Sequence, residues 1–475
     1  MTRLNPNLFV AHDSRNTTPA AHLVGARGTG MKALGELLVG LGWKVTGSDI
    51  SPGPDSGSAA IPISRGHDPA RIRPGLDVLV HTPAVDGTNA EVSQANSLGI
   101  PCLTYPEMLG ELMNHRRGIA VCGTHGKSTT TALLGWILAK SGLSPSVAIG
   151  AEFAWPQKSG WAGNSNLFVV EACEYRRAFS HLAPEIIIAL GCEPDHFDCF
   201  GTQAEMTSAY ADFFKQLPSD GLLIANFDCR TTAQLADEFD CRVTRFSRSS
   251  SPGWRAEDVV PIETGVLFRV CHNQHHHSDI HLPLYGRHQV TNALAAISVA
   301  SELGVRATQI ESAIESFPGL RRRFEHTGTY CGVEVLDDYA HHPTAVTATI
   351  RSARQKYPHR PIVAVFEPHQ HSRLTALFDD FVDSLSAADR VIVAPIFTAR
   401  ESVSSDVCDL LNSRLATEIC GRGTPAVAVK SLDHALTTLD DSLLTGDVLL
   451  TMGAGNIERV SHEFTGQFQR YSEAG

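Results

Sequence analysis

The chain has 475 residues, 43% hydrophobic and 19% charged, with a formal net charge of −12 at pH 7. That length exceeds one ordinary domain, and the apolar share is enough for several cores. The acidic balance excludes nucleic acid or an anionic membrane as the main partner, and no apolar run reaches the ~18 residues that a spanning helix needs.

Residues 1–20 contain no continuous apolar core of a signal peptide and read as a flexible tail. The eleven cysteines are scattered without a C-x-x-C pair, which suits reduced thiols in a cytoplasmic protein. Ala21 to Gly25 reads as a strand. A glycine turn, Ala26-Arg27-Gly28-Thr29-Gly30-Met31, leads into a helix through Leu41, and a second strand ends on Gly47-Ser48-Asp49. This β-α-β opening has the order G-x-x-G-x-G rather than G-x-G-x-x-G. A nucleoside diphosphate fits it without establishing NAD; a turn built only for tight packing is the plain alternative. Val78 to Thr82 and Ile100 to Leu103 read as later strands, and the first domain is expected to end near Arg117.

Gly118 to Leu138, GIAVCGTHGKSTTTALLGWIL, is the centre of the chain. Ile119, Ala120 and Val121 suit a buried strand, and Ala132, Leu133, Trp136 and Ile137 recur at helical spacing. Between them lies Gly123-Thr124-His125-Gly126-Lys127-Ser128-Thr129. Strand, glycine loop and helix N-terminus together make a phosphate site. Lys127 suits the β- and γ-phosphates and the Ser128 hydroxyl suits Mg²⁺. The strict G-x-x-x-x-G-K-[ST] form is not met, because Val121 stands at the first glycine.

Strands are expected at Leu167 to Glu171, Ile186 to Leu190 and Gly221 to Asn226. Glu171 and His196 then fall at strand ends, where parallel α/β sheets collect their chemistry. An unpartnered buried Glu171 is costly, and a Mg²⁺ ion would resolve that. Val243 to Ile280 reads as short antiparallel strands, with His275-His276-His277 at an exposed hairpin tip rather than a zinc site. Gly286 to Asn292 leads into an alanine-rich helix, and Pro318 to Glu325 reads as a hinge. Beyond it, strands at Val333–Leu336, Ile362–Phe366, Arg390–Ala394 and Asp447–Thr451 alternate with helical segments, a further parallel α/β domain. Its polar clusters, Asp337 to Pro343, Glu367 to Arg373 and Met452 to Asn456, again lie at strand ends.

Taken together, these motifs resemble the Mur ligase family, from His22 to about Ile457. The carriers are Gly25 to Met31 with Gly47-Ser48-Asp49, Gly123 to Thr129, Glu171-Ala172-Cys173-Glu174, Asp195-His196, Gly286-Arg287-His288 with Asn292, Arg322-Arg323-Phe324, Asp337-Asp338-Tyr339 with His341-His342-Pro343, Pro368-His369 with Ser372-Arg373, and Gly453-Ala454-Gly455. The resemblance implies an α/β fold of three domains: a Rossmann-like UDP-sugar domain (21–117), a central ATPase with a mostly parallel sheet (118–318), and a Rossmann-like amino-acid domain (319–475). It implies ATP and Mg²⁺, with UDP-N-acetylmuramate and L-alanine as substrates. ATP phosphorylates the lactyl carboxylate, and the amine of L-alanine attacks the acyl phosphate. It assigns the UDP sugar to Gly25, Gly28, Gly30, Met31, Ser48, Asp49 and Thr82. ATP falls to Gly123 to Thr129 with His288 and Asn292, one Mg²⁺ to Ser128 and Glu171, and a second to His196. Lys127, His196, Arg323, His342 and Arg373 carry catalysis in this reading, Arg323 reaching the γ-phosphate from across the hinge.

The sequence departs from the family at Ser128 (usually Thr), at Gly191 (usually Asn), at Glu367 (usually Gln) and at Gln370-His371 (usually Arg-Tyr). These changes touch the amino-acid end most. A ligase that adds a whole tripeptide, a non-catalytic relative and an NAD-dependent dehydrogenase are the competing readings. No nucleic acid and no membrane insertion are expected, and the assembly is expected to be a monomer or homodimer.

Overall fold

The structure is a computed structural model that describes residues 4–9, 18–50, 61–248 and 252–466. Three sheets organise it. The first has five parallel strands in the order Ile63–Arg65, Lys44–Asp49, Ala20–Val24, Val78–His81, Cys102–Thr104. Ala20–Val24 and Val78–His81 at its centre are apolar except for His22 and His81. Asn89 caps the helix Ala90–Ser97, and Thr104 with Glu107 forms a reciprocal capping box on Tyr105–Met113.

The expected tail is not loose throughout. Leu4 is buried, Pro6–Phe9 forms a 3₁₀ turn, and the Phe9 ring stacks on His115 at 4.6 Å. Apolar Leu4, Leu8 and Phe9 offset the cost of this ordering by packing on the first core. The rest of the expected tail, 1–3 and 10–17, lies outside the described residues.

The middle sheet has ten strands. Parallel strands Leu222–Asn226, Ile186–Ala189, Arg117–Cys122 and Leu167–Glu171 lie side by side at its centre. Helix Lys127–Lys140 is enclosed on nearly every side, buried from Ser128 to Gly135, and packs with Arg287–Glu302 on one face of the sheet. Strands Trp254–Ile262, Gly265–His272 and His275–Leu282 form an antiparallel extension. They are not short: their lengths are 9, 8 and 8 residues. A one-sided pattern hid them, since alternate residues such as Val266, Phe268 and Val270 face the core while Leu267 is exposed. His275 and His276 are exposed at the turn and join no metal-capable cluster among the described residues.

The third sheet runs Glu325–Tyr330, Val333–Asp338, Val448–Met452, Ile362–Phe366, Arg390–Val393, Ala426–Ala428, all parallel except the first. The segment joining it to the middle sheet is tied down. Arg321 N donates to Glu152 O at 2.8 Å, and Ala154 N donates to Gly319 O at 3.1 Å. Arg322 and Phe324 take left-handed conformations there, φ 56° and 55°. On the opposite side, Glu36 of helix Thr29–Gly40 accepts the N–H groups of Ser159 and Gly160 at 2.8 and 2.9 Å. Residues after the strands of the middle and third sheets line one shared cavity.

Candidate active site

The phosphate loop leaves its strand at Cys122 and enters the helix at Lys127. Gly126 has φ 82°, and a Cβ there would stand 2.2 Å from Asn292 Oδ1, so only glycine fits. Thr124 Oγ1 accepts Glu193 N at 2.9 Å, which fixes the loop to the segment after strand Ile186–Ala189. Lys127 Nζ donates to both carboxylate oxygens of Glu174 at 2.9 Å and to Gly123 O at 2.6 Å. Burial works against both charges, but each partner outweighs that cost: Glu174 holds Lys127 above its ordinary range, and Lys127 holds Glu174 below its own. Glu174, quoted in the sequence only as part of a motif, is thus the resting partner of the loop lysine. Three residues past Glu171 at a strand end was the signal that could have found it.

The expected metal donors share one cavity of about 500 Å³ with this loop. Glu171 Oε1 accepts Gly150 N at 2.7 Å, while His196 Nε2 lies 3.3 Å from Glu174 Oε1. Ser128 Oγ accepts from Arg323 Nη2 at 3.1 Å. That contact carries Arg323 across the linker to the start of the loop helix. Burial raises the Glu171 carboxyl, so its ionised form calls for a cation.

His288 lines the same cavity with Asn292. Its ring keeps accessible surface but is surrounded by protein, and burial lowers it to about 4, so it is neutral at pH 7. Gly191, where a polar side chain was expected, gives its carbonyl to Thr124 N at 3.0 Å. A Cβ there would meet nothing nearer than Cys229 Sγ at 3.8 Å, so the glycine is not demanded by space. It borders a second cavity of about 540 Å³ instead.

The third domain closes the site. Arg373, 2% exposed, donates Nε and Nη2 to Asp195 Oδ1 at 2.8 and 2.7 Å. Its charge is therefore engaged by the middle domain, and it drives Asp195 far below the carboxylate range despite burial. His342 is not a free group either. It caps helix Pro343–Lys356, accepting Thr344 N at Nδ1, and its Nε2 donates to Pro194 O at 3.2 Å. Both expected catalytic residues clasp the two domains. Gln370 also lines the cavity, with a left-handed φ of 69°, while the His371 N–H is taken by Glu401 at 2.6 Å. His369 stacks on Phe397 and faces Arg373 Nη1 at 3.0 Å; burial lowers it to about 4.

In the first domain Gly25 (φ 80°) and Gly28 shape the turn, and Arg27 N donates to Asp49 Oδ2 at 2.9 Å. The Thr82 methyl would stand 2.5 Å from a Cβ on Gly25, and Tyr105 backs Gly30. The side chains of two expected sugar-binding residues are buried. Met31 packs in the core because it faces the sheet from the first helical turn. Ser48 is fully buried, and its hydroxyl donates to Glu91. Glu91 also takes Asp68 N at 3.0 Å and Arg71 Nη1 at 3.3 Å, and these bonds with His22 outweigh burial to hold it at about 2. No local pattern marks Glu91, since its partners come from distant segments.

A glycine phosphate loop with buried acids and cations from the middle domain, the linker and the third domain defines a multidomain enzyme that handles nucleotide phosphates. Family comparison matches residues 20–117 to the Mur ligase family catalytic domain, 121–300 to the Mur ligase middle domain and 322–455 to the Mur ligase glutamate ligase domain. The chain belongs to the Mur ligase family. It is 38% identical to UDP-N-acetylmuramate–L-alanine ligase of Acidithiobacillus ferrooxidans, over 95% of this chain and 98% of that one. The Clostridium kluyveri enzyme of the same name is 34% identical, over 94% and 98%. Among solved structures, UDP-N-acetylmuramate-alanine ligase of Thermotoga maritima superposes with TM-score 0.80 at 25% identity, covering 95% and 99%. A murein peptide ligase of Psychrobacter arcticus reaches 0.70 at 26%, covering 94% and 98%.

Proposed function

We propose that this chain is an ATP-dependent amide-forming ligase that joins L-alanine to the lactyl carboxylate of UDP-N-acetylmuramate in peptidoglycan precursor synthesis. One observation carries the reading: Lys127, Arg323 and Arg373, from the loop, the linker and the third domain, line a single cavity. A carboxylate is a poor acyl donor, and transfer of a phosphoryl group to it supplies the leaving group. Two anions must meet for that, so the work is positioning and neutralisation.

Residues 21–117 hold the UDP sugar in this reading, 118–318 bind ATP and 319–475 receive the amino acid. Lys127 and the loop N–H groups hold the phosphates, with Arg323 at the transferred group. His288 and Asn292 take the adenine end. The Ser128 hydroxyl and the Glu171 carboxylate, oxygen donors beside the phosphate loop, fit one Mg²⁺, and His196 would hold a second. When bound, the ions would neutralise phosphate charge. Alanine arrives as an ammonium and must lose a proton before its nitrogen attacks. The cytoplasm is the place where both nucleotides are available.

The test holds ATP, Mg²⁺ and UDP-N-acetylmuramate constant and measures phosphate release with a panel of amino acids and peptides. L-alanine is expected to support turnover well above the rest. Preference for a tripeptide would favour the murein peptide ligase activity instead, and no release with any acceptor would leave a binding protein. Chelation of divalent ions is expected to stop release.

A further inference from the structure

His125 of the phosphate loop, Glu193 of the segment after strand Ile186–Ala189 and His342 of the third domain meet outside the expected Mg²⁺ donors. One ligand atom from each lies within 4.8 Å of the others. We propose that these three side chains form a further metal site, one for a borderline divalent ion of the Zn²⁺ class, that clasps the phosphate loop to the third domain.

Two imidazoles and a carboxylate are a nitrogen-rich set of the type that zinc takes, whereas Mg²⁺ seeks oxygen. Around a tetrahedral zinc with bonds of ~2.1 Å the ligand atoms stand about 3.4 Å apart. His125 Nε2 and Glu193 Oε2 are already 3.3 Å apart, so that edge needs no movement. The orienting contacts are in place. His342 Nε2 donates to Pro194 O, which leaves the lone pair on Nδ1. Among the described residues the 3.3 Å capping bond from Thr344 N competes for that lone pair. A ligating imidazole whose other nitrogen donates to a backbone carbonyl is the usual arrangement at metal centres. Thr344 Oγ1 donates to Glu193 Oε2 at 2.9 Å and steadies the carboxylate. Three protein ligands leave a fourth position for water. Ligands from two domains mean that the ion favours the closed arrangement.

The test titrates Zn²⁺ into the full chain, free of nucleotide and Mg²⁺, against a chromophoric chelator. The expected result is one ion per chain whose Kd rises at least about tenfold in His342→Ala and in Glu193→Gln. It is expected to stay unchanged in Glu171→Gln and in a triple His275→Ala, His276→Ala, His277→Ala variant. Wild-type affinity in both His342→Ala and Glu193→Gln overturns the proposal. Loss of the site on Glu171→Gln or on the triple variant overturns it too, by moving the ion to the catalytic cavity or the hairpin. Co²⁺ in the unmodified protein gives a readout independent of folding of the variants: intense four-coordinate visible bands are expected, and a weak six-coordinate spectrum overturns the assignment.

Discussion

The molecule contains two glycine loops of similar plan and different chemistry. Each follows a buried parallel strand and opens a helix, Thr29–Gly40 in one and Lys127–Lys140 in the other. At the first, Gly28 is extended (φ −62°), a Cβ on it would meet only Gly25 O at 3.6 Å, and an acid, Asp49, holds the loop through Arg27 N. At the second, Gly126 is left-handed and crowded, and a lysine held by Glu174 stands at the first helical position. Backbone N–H groups and a helix terminus suit a bound phosphate in both. Cations from other domains, Arg323 and Arg373, converge only on the second. On the proposed function, that is the difference between a loop that holds phosphate and one that transfers it.

The strongest way to break this comparison is Lys127→Ala. Phosphate release is expected to fall by about 10³-fold or more, as for loss of a group that stabilises transition-state charge. UDP-sugar affinity by calorimetry is expected to stay within about twofold, since about 1.4 kcal/mol is needed for tenfold. Equal loss of both would mean that the two loops are not separate sites.

Alanine at the two glycines sharpens the contrast. Gly126→Ala places a Cβ 2.2 Å from Asn292 Oδ1 at φ 82°, so thermal unfolding is expected to reveal a cost of about 1–3 kcal/mol and weaker ATP binding. Gly28→Ala has room at φ −62°, so stability is expected to hold within about 0.5 kcal/mol while UDP-sugar affinity falls. Matching melting shifts would refute this assignment of the two turns.

Charge support differs by domain and gives a pH signature. Burial raises Asp337 and Glu367 in the third domain to about 7, whereas in the first domain Glu91 is held at about 2. The folded state binds the protons of the raised pair more tightly than the unfolded chain. Their stabilisation is full below the unfolded value of about 4 and is lost as pH rises through 7. Glu91 has the opposite sign, its contribution present above that value and lost as pH falls toward 2. Denaturant unfolding from pH 5 to 8 is expected to show stability falling by about 2–3 kcal/mol for each of these two groups, and Glu367→Gln is expected to remove about half of the slope. An unchanged slope would place the proton elsewhere. The smallest effect is expected from Asp49→Asn, which weakens one charge-assisted bond to Arg27 N. UDP-sugar Kd should rise about fivefold, roughly 1 kcal/mol, with ATP affinity untouched.

The strands that carry the site were legible because each is a short apolar run ending in glycine or acid. Arg117–Cys122, Leu167–Glu171 and Ile362–Phe366 fall where the pattern puts them. The antiparallel extension was underestimated because its strands bury only alternate residues. Lys127, Ser128, Glu171 and His196 were legible as a set lining one cavity. The use of Ser48 and Met31 was not, since burial of a side chain depends on what packs over it rather than on its neighbours in sequence.

Local sequence by itself determined the order of strands, loops and helices, and the glycines and lysine of the phosphate loop, because backbone geometry and hydrophobic period are short-range properties. Only the tertiary structure decided which charges meet. Arg373 finds Asp195 across 178 positions and Arg323 finds Ser128 across 195. Such pairs follow from how the third domain and its linker meet the middle domain, and no local pattern encodes a partner that distant.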